Sequence, residues 1–174
     1  MRVLNIHECE LQAGVPEVGA LIDTLASDKD VLWPRKQWPR MRFDRPLAIG
    51  AIGRHGPIGY IVDVYQPGRM VRFSFTSPPG YQGYHSLEVQ PNGDQGSILR
   101  HTIRMEVTGW ARLSWLLIMR PLHDALLEDL LYLARIATGI SVTQRPWSLW
   151  VKFLRHVRYR QPASDRSKSR DNRR

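Results

Sequence analysis

Residues 55–109 read HGPIGYIVDVYQPGRMVRFSFTSPPGYQGYHSLEVQPNGDQGSILRHTIRMEVTG. Four turn pairs punctuate this stretch: Gly56-Pro57, Pro67-Gly68, Pro79-Gly80 and Asn92-Gly93. Glycine supplies positive φ and proline presets φ near −65°, so each pair has a reason to reverse the chain. Between the turns, apolar residues alternate with polar ones. Such spacing reads as an antiparallel meander. Strands are expected at about 46–54, 58–66, 70–77, 84–91 and 97–109. The core-facing positions are then Leu47, Ile49 and Ala51, followed by Tyr60, Val62 and Val64. On the next strands they are Val71, Phe73 and Phe75, then His85, Leu87 and Val89. The last strand turns Leu99, His101, Ile103, Met105 and Val107 inward, and leaves Arg100, Thr102, Arg104, Glu106 and Thr108 for water.

Outward from the meander, residues 2–11 alternate as a first strand, with Val3, Asn5, His7 and Cys9 on one face. A short helix follows, with Pro16 near its first position and Glu17 in its first turn. Ser27-Asp28-Lys29-Asp30 resembles a capping box for a second short helix ending in Val31, Leu32 and Trp33, stopped by Pro34. The segments WPRKQWP and RMRFDRP form an ordered loop. Residues 112–138 are the main helix. Its apolar stripe is Leu113, Leu116, Leu117 and Leu122, continued by Ala125, Leu126, Leu130, Leu133 and Ala137. Pro121 predicts a kink near Met119, and Gly139 suits the C′ position.

The 174 residues carry a net charge of +9, unevenly spread. Residues 141–174 hold 10 Lys+Arg against 2 Asp+Glu, whereas residues 1–140 hold 15 against 14. The body is close to neutral and the positive field belongs to the C-terminal fifth. Residues 146–160 form a basic amphipathic helix. Trp147, Leu149, Trp150, Val151, Phe153, Leu154 and Val157 share one broad face; Lys152, Arg155 and His156 lie opposite, with Arg158 near an edge. Residues 161–174 are expected to be disordered. Three readings of this extension stand side by side. It packs on its own domain or on a second copy as a homodimer. It lies on an anionic membrane, touching it through Trp147, Trp150, Lys152, Phe153, Arg155 and Arg158. Or its arginines bind nucleic acid through phosphates.

A single cysteine, Cys9, excludes an internal disulfide, and the start of the chain reads as a strand rather than a signal peptide. A cytoplasmic protein is expected, with the inner face of the membrane as the place for any peripheral contact. No run approaches the roughly 20 apolar residues a transmembrane helix needs. The six histidines show no HxxxH or HExxH spacing, so no metal is expected. No GxGxxG or P-loop follows a strand, so no cofactor is expected; Gly50, Gly53 and Gly56 read as sheet curvature and reversal.

The order strand, two short helices, five strands, long helix resembles the START-like (SRPBCC) superfamily, which includes polyketide cyclases and plant pollen allergens. The likeness spans residues 1–139. The strings WPRKQWPRMRFDRPL at 33–47, HGPIGY at 55–60 and ARLSWLLIMRPLHDALLED at 111–129 are similar to uncharacterised actinobacterial members. The resemblance implies an α+β helix-grip fold: a curved antiparallel sheet of about six strands wrapped around the long helix, enclosing an apolar ligand cavity. The domain would occupy 1–139, the basic helix 140–160 and the tail 161–174.

Facing such a cavity would be Ile49, Tyr60 and Val62 from the first strands of the meander. Phe73, Phe75, His85 and Leu87 follow. His101, Ile103 and Met105 come from the last strand, and Trp115, Met119 and His123 from the helix. Each aromatic has the alternative of plain core packing. His85 and His101 are candidate general acids or bases, with Tyr60 as proton donor, because imidazole titrates near neutrality. Their alternative is a hydrogen-bonded core histidine or a one-residue slip into water. His55 reads as a solvated turn residue rather than a gate, and Asp124 as a carboxylate held by the helix dipole. The resulting expectation is binding or transport of a small hydrophobic ligand, a lipid, polyketide or similar. Cyclase or dehydratase chemistry is the first alternative and a nucleic-acid-associated module the second.

Overall fold

A computed structural model describes residues 1–159. The expected tail at 161–174 lies outside the described residues. Seven strands form one antiparallel sheet: β1 (Arg2–Leu11), β2 (Arg42–Phe43), β3 (Ile52–His55), β4 (Ile58–Gln66), β5 (Met70–Ser77), β6 (Tyr81–Asn92) and β7 (Gly96–Val107). Their order in space is β1-β7-β6-β5-β4-β3-β2. The first strand therefore closes onto the last, with His7 opposite His101 in the register. The turn glycines Gly56, Gly68, Gly80 and Gly93 all take positive φ, as a reversal at each point requires.

Three expectations at the front of the sheet are corrected. The strand expected at 46–54 forms only from Ile52, with the two-residue β2 beside it. Gly50 at φ 84° ends a turn there and leaves Ile49 65% exposed. Alternation puts Val64 on the core face, but a bulge between Val62 and Val64 pairs it with Arg72. The extra residue turns Tyr65 inward instead, where its hydroxyl donates to Asp23 at 2.9 Å. No helix forms at 27–33. The buried Asp30 accepts from the backbone N–H groups of Ala26, Leu32 and Trp33 and holds the chain in successive turns.

Helix α1 (Val15–Asp23) starts at Pro16 and packs Val18 and Ile22 into the core. Gly19 lets it approach the β4–β5 turn: a Cβ there would lie 1.9 Å from the Gly68 carbonyl oxygen. The C-terminal helix is interrupted. Helix α2 (Ala111–Ser114) runs into a π-turn at Trp115–Met119, and α3 (Arg120–Ala137) resumes with Pro121 in its first turn. Proline has no N–H to offer the carbonyl four residues earlier, so the ladder widens there. After the break, Leu122, Leu126, Leu127, Leu130, Leu131 and Ala134 are buried on the sheet. Each large side chain there is worth roughly 1.5–3 kcal/mol of burial. Before it, the face has rotated: Trp115 is buried, while Leu113, Leu116 and Leu117, expected on the apolar stripe, are exposed. At the far end Gly139 takes φ 79° and the Ile140 N–H closes on Arg135 O at 2.8 Å, a Schellman stop.

Residues 141–148 run without regular structure into α4 (Leu149–Arg158), whose N-cap Ser148 Oγ accepts from Val151 N at 3.2 Å. This helix lies on its own domain, with Val151 and Leu154 buried.

Candidate functional site

Sheet and helix do not close on each other. Between them remains a cavity of about 90 Å³. Phe73, Phe75, His85 and Leu87 line it from β5 and β6. Facing them are His101, Ile103 and Met105 from β7, and Trp115, Met119 and His123 from the helix. Three residues expected there lie elsewhere. Ile49 is at the surface. Tyr60 and Val62 are fully buried on the same face but outside the cavity wall, the Tyr60 ring packed against those of Phe43, His55, Phe73 and His85. Gly53 is what lets Phe43 and Tyr60 close there, since a Cβ would lie 2.4 Å and 2.5 Å from their rings.

The proline-rich segment that reads as a loop supplies part of the wall. Trp33, Trp38 and Met41 reach the cavity, as does Tyr159 from just beyond α4. Their signal in the sequence was the density of aromatic residues in WPRKQWP, which a solvated loop would not need.

Four imidazoles, of His55, His85, His101 and His123, line the cavity, with hydroxyls from Ser77, Tyr81 and Tyr159. His55, at the end of β3, points inward rather than into water, correcting the expectation of a solvated turn. Its ring lies 4.9 Å from that of Trp33, and its Nδ1 is 3.3 Å from the Tyr60 hydroxyl. The His55 and His85 rings are 6.5 Å apart, His85 and His101 5.4 Å, and His101 and His123 5.1 Å. His7 continues the series at 5.9 Å from His123. Five of the six histidines thus form one row from β3, β6 and β7 to α3 and β1. Phe73 and Phe75 both stack on His85, at 4.8 Å and 5.1 Å.

Within the row, His85 Nδ1 and His101 Nε2 are 3.3 Å apart and share a proton. Their outer nitrogens, His85 Nε2 and His101 Nδ1, are buried without a partner, whereas His123 Nδ1 lies 3.5 Å from Asp124 Oδ1. Burial favours the neutral form of His55, His85, His101 and His123. It pulls His55 down to about 3, with the like charge of His123 adding to it. It drives His85 and His101 well below the usual 6.5, and neighbouring histidines push the same way. His123 is lowered by burial too, partly offset by Asp124.

Asp124 terminates the row. Burial alone would raise its carboxyl, but His123 and His7 outweigh this and hold it well below the usual carboxylate range. Its Oδ1 accepts from Asn5 Nδ2 at 3.1 Å and lies 3.0 Å from His7 Nε2. The structure also assembles what spacing along the chain hid: His7, His123 and Asp124 each bring a ligand atom within 4.8 Å of the others. Two imidazoles and a carboxylate are a metal-ligand composition. Here, however, Asp124 is already engaged by Asn5 and His7, and the Arg120 guanidinium sits 3.6 Å from its Oδ2. The arrangement is a polar clamp joining α3 to β1.

The C-terminal extension closes one side of the site. Arg155, expected on a solvated face, lies 3.7 Å from the Trp147 ring and 4.7 Å from that of Trp38, and donates to the Gln37 carbonyl. Trp147 and Arg155 therefore belong to an internal contact, which corrects their assignment to a membrane surface. Tyr159 then meets Trp38 at 6.3 Å and reaches the cavity. Trp150, Lys152, Phe153 and Arg158 remain exposed. Among the described residues no helix is long and apolar enough to cross a membrane.

No family model matches the chain, and no curated protein sequence matches it. Solved structures do. Truncated norcoclaurine synthase from Thalictrum flavum matches at 12% identity over 81% of this chain and 96% of that one, with a TM-score of 0.61. A protein from Thermobifida fusca matches at 16% identity over 82% and 97%, TM-score 0.58. CalU16 from Micromonospora echinospora matches at 15% identity over 80% and 91%, TM-score 0.54. At these identities the likeness establishes the fold, the α+β helix-grip architecture with its curved antiparallel sheet.

Proposed function

We propose that this chain binds a compact, mainly apolar small molecule carrying one or two hydroxyl or carbonyl groups. One observation carries the reading: two buried imidazole nitrogens, His85 Nε2 and His101 Nδ1, stand without partners on side chains that line a mainly apolar cavity. An unsatisfied buried polar atom costs roughly 1–3 kcal/mol, so its retention calls for a partner that arrives. Apolar walls with a few convergent polar groups are the usual composition of a ligand site. Size narrows the class. An engineered cavity of about 150 Å³ accepts benzene. The 90 Å³ here is smaller, so a single ring enters only as Met119 or Tyr159 swings aside, and a long-chain lipid does not fit it as it stands.

The test titrates a phenol, p-cresol, and the hydrocarbon of its shape, p-xylene, into the protein and reads binding by calorimetry. The phenol is expected to bind about tenfold more tightly, a difference of about 1.4 kcal/mol. The preference should vanish in the H85F/H101L double variant. Equal or tighter binding of p-xylene to the natural chain would remove the reading.

Acid–base chemistry on the bound molecule is the second reading, favoured by the 3.3 Å contact between His85 and His101. Each neutral imidazole has one N–H and one lone pair. If His85 Nδ1–H donates to His101 Nε2, then His85 Nε2 is a base and His101 Nδ1–H an acid. The opposite tautomer swaps the roles. Either way the pair offers the ligand one acid and one base together, as enolisation or a cyclising dehydration requires. Norcoclaurine synthase, a structure of this fold, has been solved in complex with dopamine and hydroxybenzaldehyde, and that likeness supports a ring-sized ligand. Tyr60 would act only through His55, since it does not reach the cavity wall. A small aryl ketone incubated with the protein in deuterium oxide should exchange its α-hydrogens; no exchange above buffer would leave binding as the function.

A further inference from the structure

Two adjacent elements carry an apolar outer face that the domain leaves bare. On the first, Trp110, Leu113, Leu116 and Leu117 are exposed, Trp110 to 85%. On the second, Leu149, Trp150, Phe153 and Val157 are exposed, Leu149 to 83%. Within each element these residues recur every three or four positions, so each set shares one face. The two sets meet where Trp150 Nε1 donates to the Leu117 carbonyl at 2.9 Å, and Phe153 stacks on Trp150 at 5.4 Å. A face with two tryptophans and six aliphatic or aromatic partners exceeds what a soluble surface scatters singly.

The two segments themselves carry charge of one sign: residues 109–120 and 140–159 hold arginine and lysine and no carboxylate. Arg120 and Arg145 meet Asp124 and Glu128 of α3, and Arg155 turns inward, which leaves Arg112, Lys152 and Arg158 as the cations of the rim. Arg112, Arg120, Lys152 and Arg158 are exposed. A second copy docked face to face would bring Arg112, Lys152 and Arg158 against the same three cations. An anionic bilayer answers both features. Tryptophans suit the headgroup level, aliphatic side chains the acyl boundary, and each rim cation near the surface strengthens the attraction. We infer that the face built from α2, the π-turn and α4 docks on an anionic membrane surface. The same π-turn carries Trp115 and Met119 on the cavity wall, so bilayer contact and ligand site share one turn of helix.

The experiment is sedimentation of the full chain with vesicles of phosphatidylcholine mixed with phosphatidylglycerol, against phosphatidylcholine alone. Binding is expected to the anionic vesicles, to weaken steeply with salt, and to fall at least tenfold in the L149E/F153E variant. Both side chains are exposed, so that variant should keep its circular dichroism and melting temperature, and it retains every basic residue. Three results overturn the inference. The first is equal binding to phosphatidylcholine alone. The second is unchanged sedimentation of L149E/F153E, which would assign the interaction to basic charge without the face. The third is a stable dimer of the natural chain that L149E/F153E dissociates.

Discussion

Trp147, ahead of α4, donates its indole N–H to Asp129 of α3 at 3.0 Å. The same carboxylate oxygen accepts from Trp38 Nε1 at 2.7 Å, and the other from Gln144 Nε2 at 2.6 Å. Asp129 is buried, so its charge is compensated by three donors and by the nearby Arg155 guanidinium, which attracts it. One carboxylate therefore ties together the proline-rich loop, the long helix and the C-terminal extension. The extension is fixed to the domain by polar contacts of high directionality, and the apolar residues of α4 are free to divide: Val151 and Leu154 inward, Trp150 and Phe153 outward.

Asp129→Ala leaves three donors without their acceptor and Arg155 without a counter-charge. Breaking a buried charged contact by removing one partner costs about 3–5 kcal/mol. Urea denaturation should register a loss of about 3 kcal/mol or more, and limited proteolysis should open residues 141–148. Asp129→Asn keeps one oxygen and should fall between the two. A D129A protein that is as stable and as protease-resistant as the natural chain would show that the extension is held by α4 packing alone.

The parts of the fold written in short-range pattern were legible. Strands β4 and β5 begin and end where their turns and alternation place them, and the inward positions of β6 and β7 carry His85 and His101 onto the concave face as read. Failures came where one local choice competed with another. Leu47 and Ile49 alternate like strand residues, but Gly50 turns the chain. Val64 continues the alternation, but a bulge spends one residue. Ser27 to Asp30 looks like a helix cap, but Asp30 satisfies three N–H groups in turns. Arg155 sits opposite an apolar face on a helical wheel, and a wheel cannot foresee two indoles from elsewhere. The histidine row was the least legible feature. Its members are far apart in sequence, and their approach exists only once β1 has closed on β7 and α3 has crossed both.

Acid should unfold this protein early. The unfolded state takes up protons at histidine near the usual 6.5, while His55 in the fold holds out to about 3 and His85 and His101 stay well below 6.5. The unfolded state therefore binds more protons between those limits, and stability falls as pH falls. Each such histidine removes about 1.4 kcal/mol per pH unit below 6.5. Asp124 acts in the same direction at lower pH, because its folded carboxyl lies below the usual 3.8 and its stabilisation is lost as it protonates. Unfolding free energies from urea titrations between neutrality and about pH 5 should drop by several kcal/mol in total. A flat profile over that range would mean that the imidazoles are wet or already charged.

The His85–His101 pair can be tested by a double-mutant cycle. His101→Leu alone deletes one partner and leaves both nitrogens of His85 bare inside the apolar cavity. A loss of about 1–3 kcal/mol is expected, since an orphaned buried polar atom carries its full desolvation cost. Adding His85→Phe removes the orphan and extends the aromatic stack on Phe73 and Phe75. Replacing both members of a buried polar pair by apolar groups of similar shape is close to neutral or stabilising. The double variant should thus be more stable than H101L, and at pH 5 more stable than the natural chain, because it has two fewer imidazoles to protonate. The two substitutions are therefore expected to be strongly non-additive, by more than about 1 kcal/mol. Additive losses, with the double variant the least stable of the set, would mean that the two rings stabilise the empty domain independently and that the site is a packed core.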